Sequence, residues 1–284
     1  MSKFYDRRWE LLLNDVTFIS ETAGRQFKMT FNVIVDFGGY VSYADIAIYN
    51  LSQDTIGKLF KRNTSVGLRA GYVESIDYIF KGRINNILRE RVGPDTITRI
   101  IAIGGTQPAT QQVNATLGVN STIVDIIRQC ATAMGYPLVI KSGDFSGINP
   151  YPRGYSLNGD PRGYLDKLAQ AHEFSYVIEN DRIVVVGKDS FRDGAPYEVN
   201  ERNGMQGIPE ITENGADVSL RLSPRVRIGG RIDIQSNLAT FNFSNLYFNQ
   251  IPETVGKGIY RVFRLNHTGD TWGDEWTTRV TGFR

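Results

Sequence analysis

Side chains that alternate apolar and polar along extended runs constrain this chain more than any other feature, and the pattern is clearest at its end. Gly258-Ile-Tyr260-Arg-Val262-Phe-Arg264 and Trp276-Thr-Thr-Arg279-Val-Thr-Gly-Phe283 flank a Gly/Asp-rich stretch, His267-Thr-Gly269-Asp270-Thr-Trp272-Gly-Asp274-Glu275. A period of two gives a strand one face for a core, so this block predicts a β-hairpin that closes a domain. Earlier runs read the same way: Phe27–Val35, Ala44–Asn50, Val66–Tyr72, Ile76–Ile84 and Thr96–Ile103. They are rich in β-branched and aromatic residues and separated by Gly, Asn and Asp, which suits a barrel or sandwich from residue 16 to about 105. One helix interrupts them, Leu51 to Phe60, with Ser52 placed as N-cap and a stripe at Ile56, Leu59 and Phe60.

The middle third changes period. Ser121 is expected to cap a helix whose Ile123, Ile126, Ile127, Cys130, Ala131 and Met134 share a face, ended by Gly135 before Pro137. A second helix starts at Asp160-Pro161 and runs through Leu165, Leu168, Ala169 and His172. Phe174–Ile178 and Arg182–Val186 then face each other across Asn180-Asp181 as a hairpin. A turn-rich stretch, Gly187 to Gly207, separates this insert from a last β region that includes Asp217–Leu222 and Val226–Ile234. The expected fold is therefore mainly β with an α+β insert: two β-barrel domains, 1–107 and 191–284, flanking a small α+β domain, 108–190.

Charge narrows the function classes. With 32 basic and 30 acidic residues the net charge is +2, too small for a general nucleic-acid binder. A single cysteine, Cys130, excludes an internal disulfide. No apolar run approaches the ~20 residues that span a bilayer, and Leu11-Leu-Leu13 is too short for a secretory signal. Synthesis in a cytoplasm, without membrane insertion, is the expectation.

Three ordered phrases carry a family resemblance. The first is Ala44-Asp-Ile46-Ala-Ile48-Tyr49-Asn50-Leu51-Ser52, then Val66 to Tyr72, then Ile79-Phe80-Lys-Gly82-Arg-Ile84. The second is Gly207-Ile-Pro209-Glu-Ile-Thr212-Glu-Asn-Gly215 followed by Leu222-Ser-Pro224 and Gly229-Gly230-Arg-Ile232-Asp-Ile234. The terminal hairpin is the third. Together they resemble the baseplate-hub (tail-hub) proteins of long-tailed bacteriophages. The resemblance implies a structural, non-enzymatic virion protein with two barrels related to that of the tail tube. It implies a homotrimeric ring at the distal end of the tube, adapting a sixfold tube to a threefold tip and lining the DNA-ejection channel. The implied partners are the tail tube protein, a tip or spike protein and other baseplate proteins, with DNA passing through but not bound by sequence. Two other readings stay open: a tail-tip glycan-binding or cell-wall hydrolase protein, which needs a carboxylate pair in a cleft, and the hub of a phage-like injection machine.

Site chemistry is sparse. Two histidines and one cysteine cannot build the usual zinc site. His267, Asp270, Asp274 and Glu275 are the one tempting group for a hard cation or a base, yet a hairpin turn is the better reading, because Asp satisfies backbone N–H groups there and Gly supplies positive φ. Gly104-Gly105-Thr106 and Gly118-Val-Asn-Ser121 lack the end of a P-loop. Ser146 and Ser156 have no base in a recognisable motif, and His172 sits on an apolar helix side. Tyr136, Tyr151, Tyr155 and Tyr164, with Arg153 and Arg162, could stack ligands but suit a core or subunit contact better. No catalytic, metal or cofactor residue is expected.

Landmarks also recur about 180 residues apart. Ile79-Phe80-Lys81 stands against Ile259-Tyr260-Arg261, and Thr98-Arg99-Ile100 against Thr278-Arg279-Val280. Val66–Gly71 matches Val226–Gly230 more loosely. The expectation is one β unit present twice.

Overall fold

Every alternating run except one becomes a strand where expected in a computed structural model of the chain, which describes residues 6–14, 16–20, 28–37, 41–59, 64–105, 111–212, 215–242 and 257–283. The first half comprises β1 (Arg7–Leu13), β2 (Val16–Ile19), β3 (Met29–Asp36), β4 (Tyr43–Tyr49), helix α1 (Gln53–Leu59), β5 (Ser65–Tyr72), β6 (Asp77–Val92) and β7 (Asp95–Gly104). The second half comprises β13 (Tyr197–Val199), β14 (Met205–Thr212), β15 (Gly215–Arg221), β16 (Arg231–Gln235), β17 (Thr240–Asn242), β18 (Lys257–Asp270) and β19 (Trp276–Phe283). Between them lie β8 (Val113–Leu117), α2 (Ile123–Ala133), β9 (Leu138–Ile140), β10 (Tyr155–Gly159), α3 (Pro161–His172), β11 (Ser175–Glu179) and β12 (Arg182–Val186).

Both halves belong to one 14-stranded sheet, joined where β3 pairs with β18. Within the first half the neighbours run β3-β4-β7-β6-β5-β1-β2. Within the second they run β14-β15-β19-β18, continued by β16 and β13, with β17 beside β14. Matching β3 to β14, β4 to β15, β7 to β19, β6 to β18, β5 to β16 and β1 to β13 gives one neighbour order twice. Every matched pairing is antiparallel except the last, where β1 is antiparallel to β5 but β13 is parallel to β16. The strands form one continuous, mainly antiparallel sheet, and no pairing among the described residues closes either half into a ring.

The repeat extends to register. β7 maps onto β19 with an offset of 180, as Thr98 and Thr278 show, but pairing then maps β6 onto β18 with an offset of 178. Even the bulges coincide, between Ile84 and Asn86 and between Val262 and Arg264. The two-residue difference lies in the turns, which are longer between β18 and β19. The expected match of Phe80 with Tyr260 is therefore two residues out, and Ile84 corresponds to Val262. The looser match is corrected too: Val66 and Leu68 correspond to Ile232 and Ile234, because Val226 and Ile228 precede β16.

Three local expectations change. β1 was not anticipated as a strand, because the run Leu11-Leu-Leu13 hides the alternation of Trp9, Leu11 and Leu13, all buried. The turn-rich stretch holds β13 and the start of β14, whose Pro209 is tolerated where the register slips between Gln206 and Glu210. Helix α2 is capped by Thr122, not Ser121. The Thr122 hydroxyl accepts from Asp125 N–H and the Asp125 carboxylate accepts from Thr122 N–H, a reciprocal box. In α1, Ile56 N–H reaches the Ser52 carbonyl at 3.1 Å, while Phe60 lies outside the described residues.

The insert has its own apolar core. α2 and α3 pack Ile123, Ile126, Ile127, Cys130, Leu165 and Leu168 against the β11–β12 hairpin. That hairpin turns on Asn180 and Asp181, both left-handed (φ 49° and 60°), as a two-residue loop requires. Its alternation serves two cores: Tyr176, Ile178, Ile183 and Val185 face the helices, and Val177, Val184 and Val186 join the core of the large sheet.

Candidate functional site

The residues that carry most structure sit along the seam where β3 meets β18. Asp36 pairs with Arg264, Val33 with His267, and Thr30 with Asp270. The Arg264 Nε donates to Asp36 Oδ2 at 2.6 Å. At the far end Trp276, fully buried, locks the halves together. Its ring meets Phe31 edge-on at 5.3 Å between centroids, its Nε1–H donates to the Gly71 carbonyl at 3.2 Å, and the Arg7 guanidinium lies 5.6 Å over it. Gly269 is needed beside that pair, since a Cβ there would come within 2.8 Å of the Trp276 ring and closer still to Phe31.

The tempting acidic group resolves into turn and core. His267 is buried, shares a 2.8 Å hydrogen bond between Nδ1 and the Thr278 hydroxyl, and is pushed down to about 4 by desolvation, so it stays neutral. The same hydroxyl accepts from Ser223 N–H at 3.0 Å. Asp270 accepts from Trp272 N–H at 2.9 Å, an Asx-type turn, while its own N–H reaches the Glu275 carbonyl. Arg7 donates to the carbonyls of Gly273 and Asp274 at 2.5 and 2.9 Å. Thus β1 holds the terminal turn through main-chain oxygens, and no group of three or more metal-ligating side chains forms among the described residues.

Elsewhere the sequence candidates are spoken for. Tyr151 bonds His172 Nε2 at 3.2 Å, and Tyr151, Tyr155 and Tyr164 stack edge-to-face within the insert. Tyr136 is buried against Gly105, and Tyr176 bonds Asp166. Cys130 is buried, its thiol pushed up to about 12 by desolvation, an inert core residue. Ser146 bonds the Gly143 carbonyl, and Ser156 lies on β10 facing Thr116 across the pair. A cleft of about 110 Å3 lined by Arg8, Glu10, Ile19, Ser20, Val73 and Ile76 is small beside the roughly 300–1,000 Å3 of ligand pockets.

One ionic cluster was invisible in the sequence. Glu179 at the end of β11 is nearly buried and meets Arg192 at 3.2 Å, with Arg227 at 3.9 Å. Arg227 also reaches Asp77 of β6 at 2.7 Å. A buried pair of this kind adds little net stability but is costly to break, so it fixes how the insert, β6 and the 223–230 turn sit together. Only distance in space assembles it; no local pattern announces it.

Comparison with solved structures shows what this fold is similar to. No curated protein matches the sequence. A tail protein from Neisseria meningitidis MC58 has the same fold with a TM-score of 0.63 at 8% identity, covering 99% of this chain and 97% of that one. The 43 kDa tail protein of prophage MuSo2 from Shewanella oneidensis gives 0.59 at 8% identity and 98% coverage of both. The E. coli c3393 protein gives 0.55 at 9% identity, covering 96% and 76%; it is described as a component of the type VI secretion system similar to T4 tail proteins gp27 and gp5. A family model described as baseplate hub gp41 matches residues 41–242, from β4 through the insert to β17. With most of its length matched in sequence and its fold shared with phage tail proteins, the chain belongs to the baseplate hub gp41 family.

Proposed function

We propose that three copies of this chain form a ring at the distal end of a phage tail tube, adapting its sixfold symmetry to a threefold tip. The observation that supports this is the repeat of neighbour order, register and bulge in the two halves. Two equivalent units in each of three chains provide six positions for the tube, while the insert and the differing edges retain threefold identity. Contacts in such a ring are heterologous, one patch meeting a different patch on the neighbour.

In this reading residues 1–107 and 191–284 are the two ring-forming units, each curving toward a barrel like that of the tube, and 108–190 is the α+β insert. The partners are the tube protein on one side and a tip or spike protein on the other, with DNA crossing the channel. The role is structural, not enzymatic, and its setting is the virion tail. In–out alternation along β3, β4 and β19, broken in β3 only at Asp36, gives the sheet one apolar face, and curvature toward a barrel is one way to bury it. A reconstruction of the intact tail is expected to show three copies in one ring. Six copies, or one, overturns the proposal.

A further inference from the structure

β6 continues well past the strand that covers its first part. β5 pairs with Asp77 to Arg83, and the Ile84 N–H still reaches the Thr64 carbonyl at 2.9 Å. From Asn86 to Val92 only β7 lies alongside, so the opposite main-chain edge is open among the described residues. Apolar side chains stand on this arm in solvent, Leu88 41% and Val92 55% exposed.

The counterparts of Asn86–Val92 in the second half are Arg264–Asp270. Each of those is paired with β3, from Asp36 to Thr30. The same edge of the repeated strand is thus closed in one half and open in the other. The strand equivalent to β3 is β14, since each flanks the partner of the hairpin's second strand. β14 also shows an unfilled stretch: Gln206, Gly207 and Ile208 are exposed, Ile208 at 54%.

We propose that Asn86–Val92 of β6 is a strand-addition site for a second copy of this chain, which lays its β14 along it as β3 lies along β18. This rests on the ring reading above and names the surface that makes the ring. The contact is head-to-tail, β6 of one copy to β14 of the next, as a closed rotation requires. In a single chain β17 covers β14 from Glu210 to Thr212 by a short parallel pairing. Assembly exchanges that for a longer antiparallel ladder, which is the more stable pairing per residue. Extending the β3–β18 register by equivalence sets Leu88 against Thr212 and Glu90 against Glu210. Like charges directly opposite weaken a pair, so Glu90→Gln is expected to tighten association.

The test uses tails assembled from two differently tagged chains, one Leu88→Cys and one Thr212→Cys, after the ring copy number has been counted by imaging. Cα atoms across antiparallel strands lie about 4.5–5.5 Å apart, within disulfide range, and Cys130 is buried. The expected product is a crosslink between the two tags only. A ring of three that yields no such crosslink, or joins Leu88→Cys to itself, overturns the inference while the ring reading stands. A different copy number overturns both. Independently, amide exchange within Asn86–Val92 is expected to slow about a hundredfold or more at alternate residues on assembly. Unchanged exchange in a ring of three counts against the site.

Discussion

The hairpins β6–β7 and β18–β19 share register and bulge, yet one arm projects into solvent and the other is sealed along its length. Position for position, Asn86-Ile-Leu-Arg-Glu-Arg-Val92 stands against Arg264-Leu-Asn-His-Thr-Gly-Asp270. Where β3 covers the edge, the strand carries a buried neutral histidine bonded to Thr278 and a glycine that fits beneath Phe31 and Trp276. Where no described residue covers it, Arg89, Glu90 and Arg91 occupy the strand, the charged composition that keeps an open edge from indiscriminate pairing. The difference teaches that the repeat conserves backbone geometry while each copy's side chains record what lies beside it.

Trp276 breaks the comparison hardest, because its counterpart is Thr96, a half-exposed residue. Trp276→Ala removes the ring shared by Phe31, Gly71 and Arg7 and is expected to cost about 3–5 kcal/mol by denaturant unfolding. Thr96→Ala is expected to stay within about 0.5 kcal/mol. Equal losses at the two sites undo the idea that the seam distinguishes the halves.

Acid sharpens the same contrast through His267, whose counterpart Arg89 is exposed. The folded pKa, about 4, lies below the unfolded value of 6.5, so its contribution is complete above pH 6.5. Below that the unfolded chain takes up a proton the fold refuses, and stability falls until pH reaches about 4. The loss approaches about 3 kcal/mol as an order of magnitude. Melts at pH 7.5 and 4.5 check it, and His267→Gln is expected to flatten this part of the pH dependence.

Gly269 and Arg91 offer a smaller contrast. Gly269→Ala presses a methyl into Phe31 and Trp276 and is expected to cost about 1–3 kcal/mol, whereas Arg91→Ala costs less than about 0.5 kcal/mol. Thermal unfolding of both variants measures it. The smallest effect is expected at the turn. Changing Asp270 and Asp274 together to Asn lowers stability by about 1 kcal/mol and leaves bound metal unchanged at none. Stoichiometric calcium in the unaltered chain, lost in the double variant, shows a real cation site.

Much of the fold was legible because it is local. Period-two runs gave most strands, Asp160-Pro161 marked the start of α3, and Asn180-Asp181 marked a two-residue turn. Errors arose where two local signals competed. Ser121 and Thr122 are both good caps, and only the Asp125 spacing separates them. The leucine run concealed β1, and the glycines and proline around β14 masked a bulged strand. The repeat was readable to within two residues, because turn length does not appear in strand composition. The seam was not readable at all: Arg7, Gly71, Phe31 and Trp276 meet across more than 200 residues, and no window of sequence contains them.

The pairing of β3 with β18 also has a consequence for synthesis. Asp36 and Arg264 are 228 residues apart, so at roughly 5–20 residues per second a ribosome leaves β3 with one bare edge for about 10–45 s. During that interval the strand is a template for any extended neighbour, including nascent copies on the same message. The short Thr30, Asn32 and Ile34 side chains on its second face offer little charge to deter such pairing. β18 thus protects a strand made more than 200 residues before it, and a product cut short ahead of β18 keeps that edge of β3 bare.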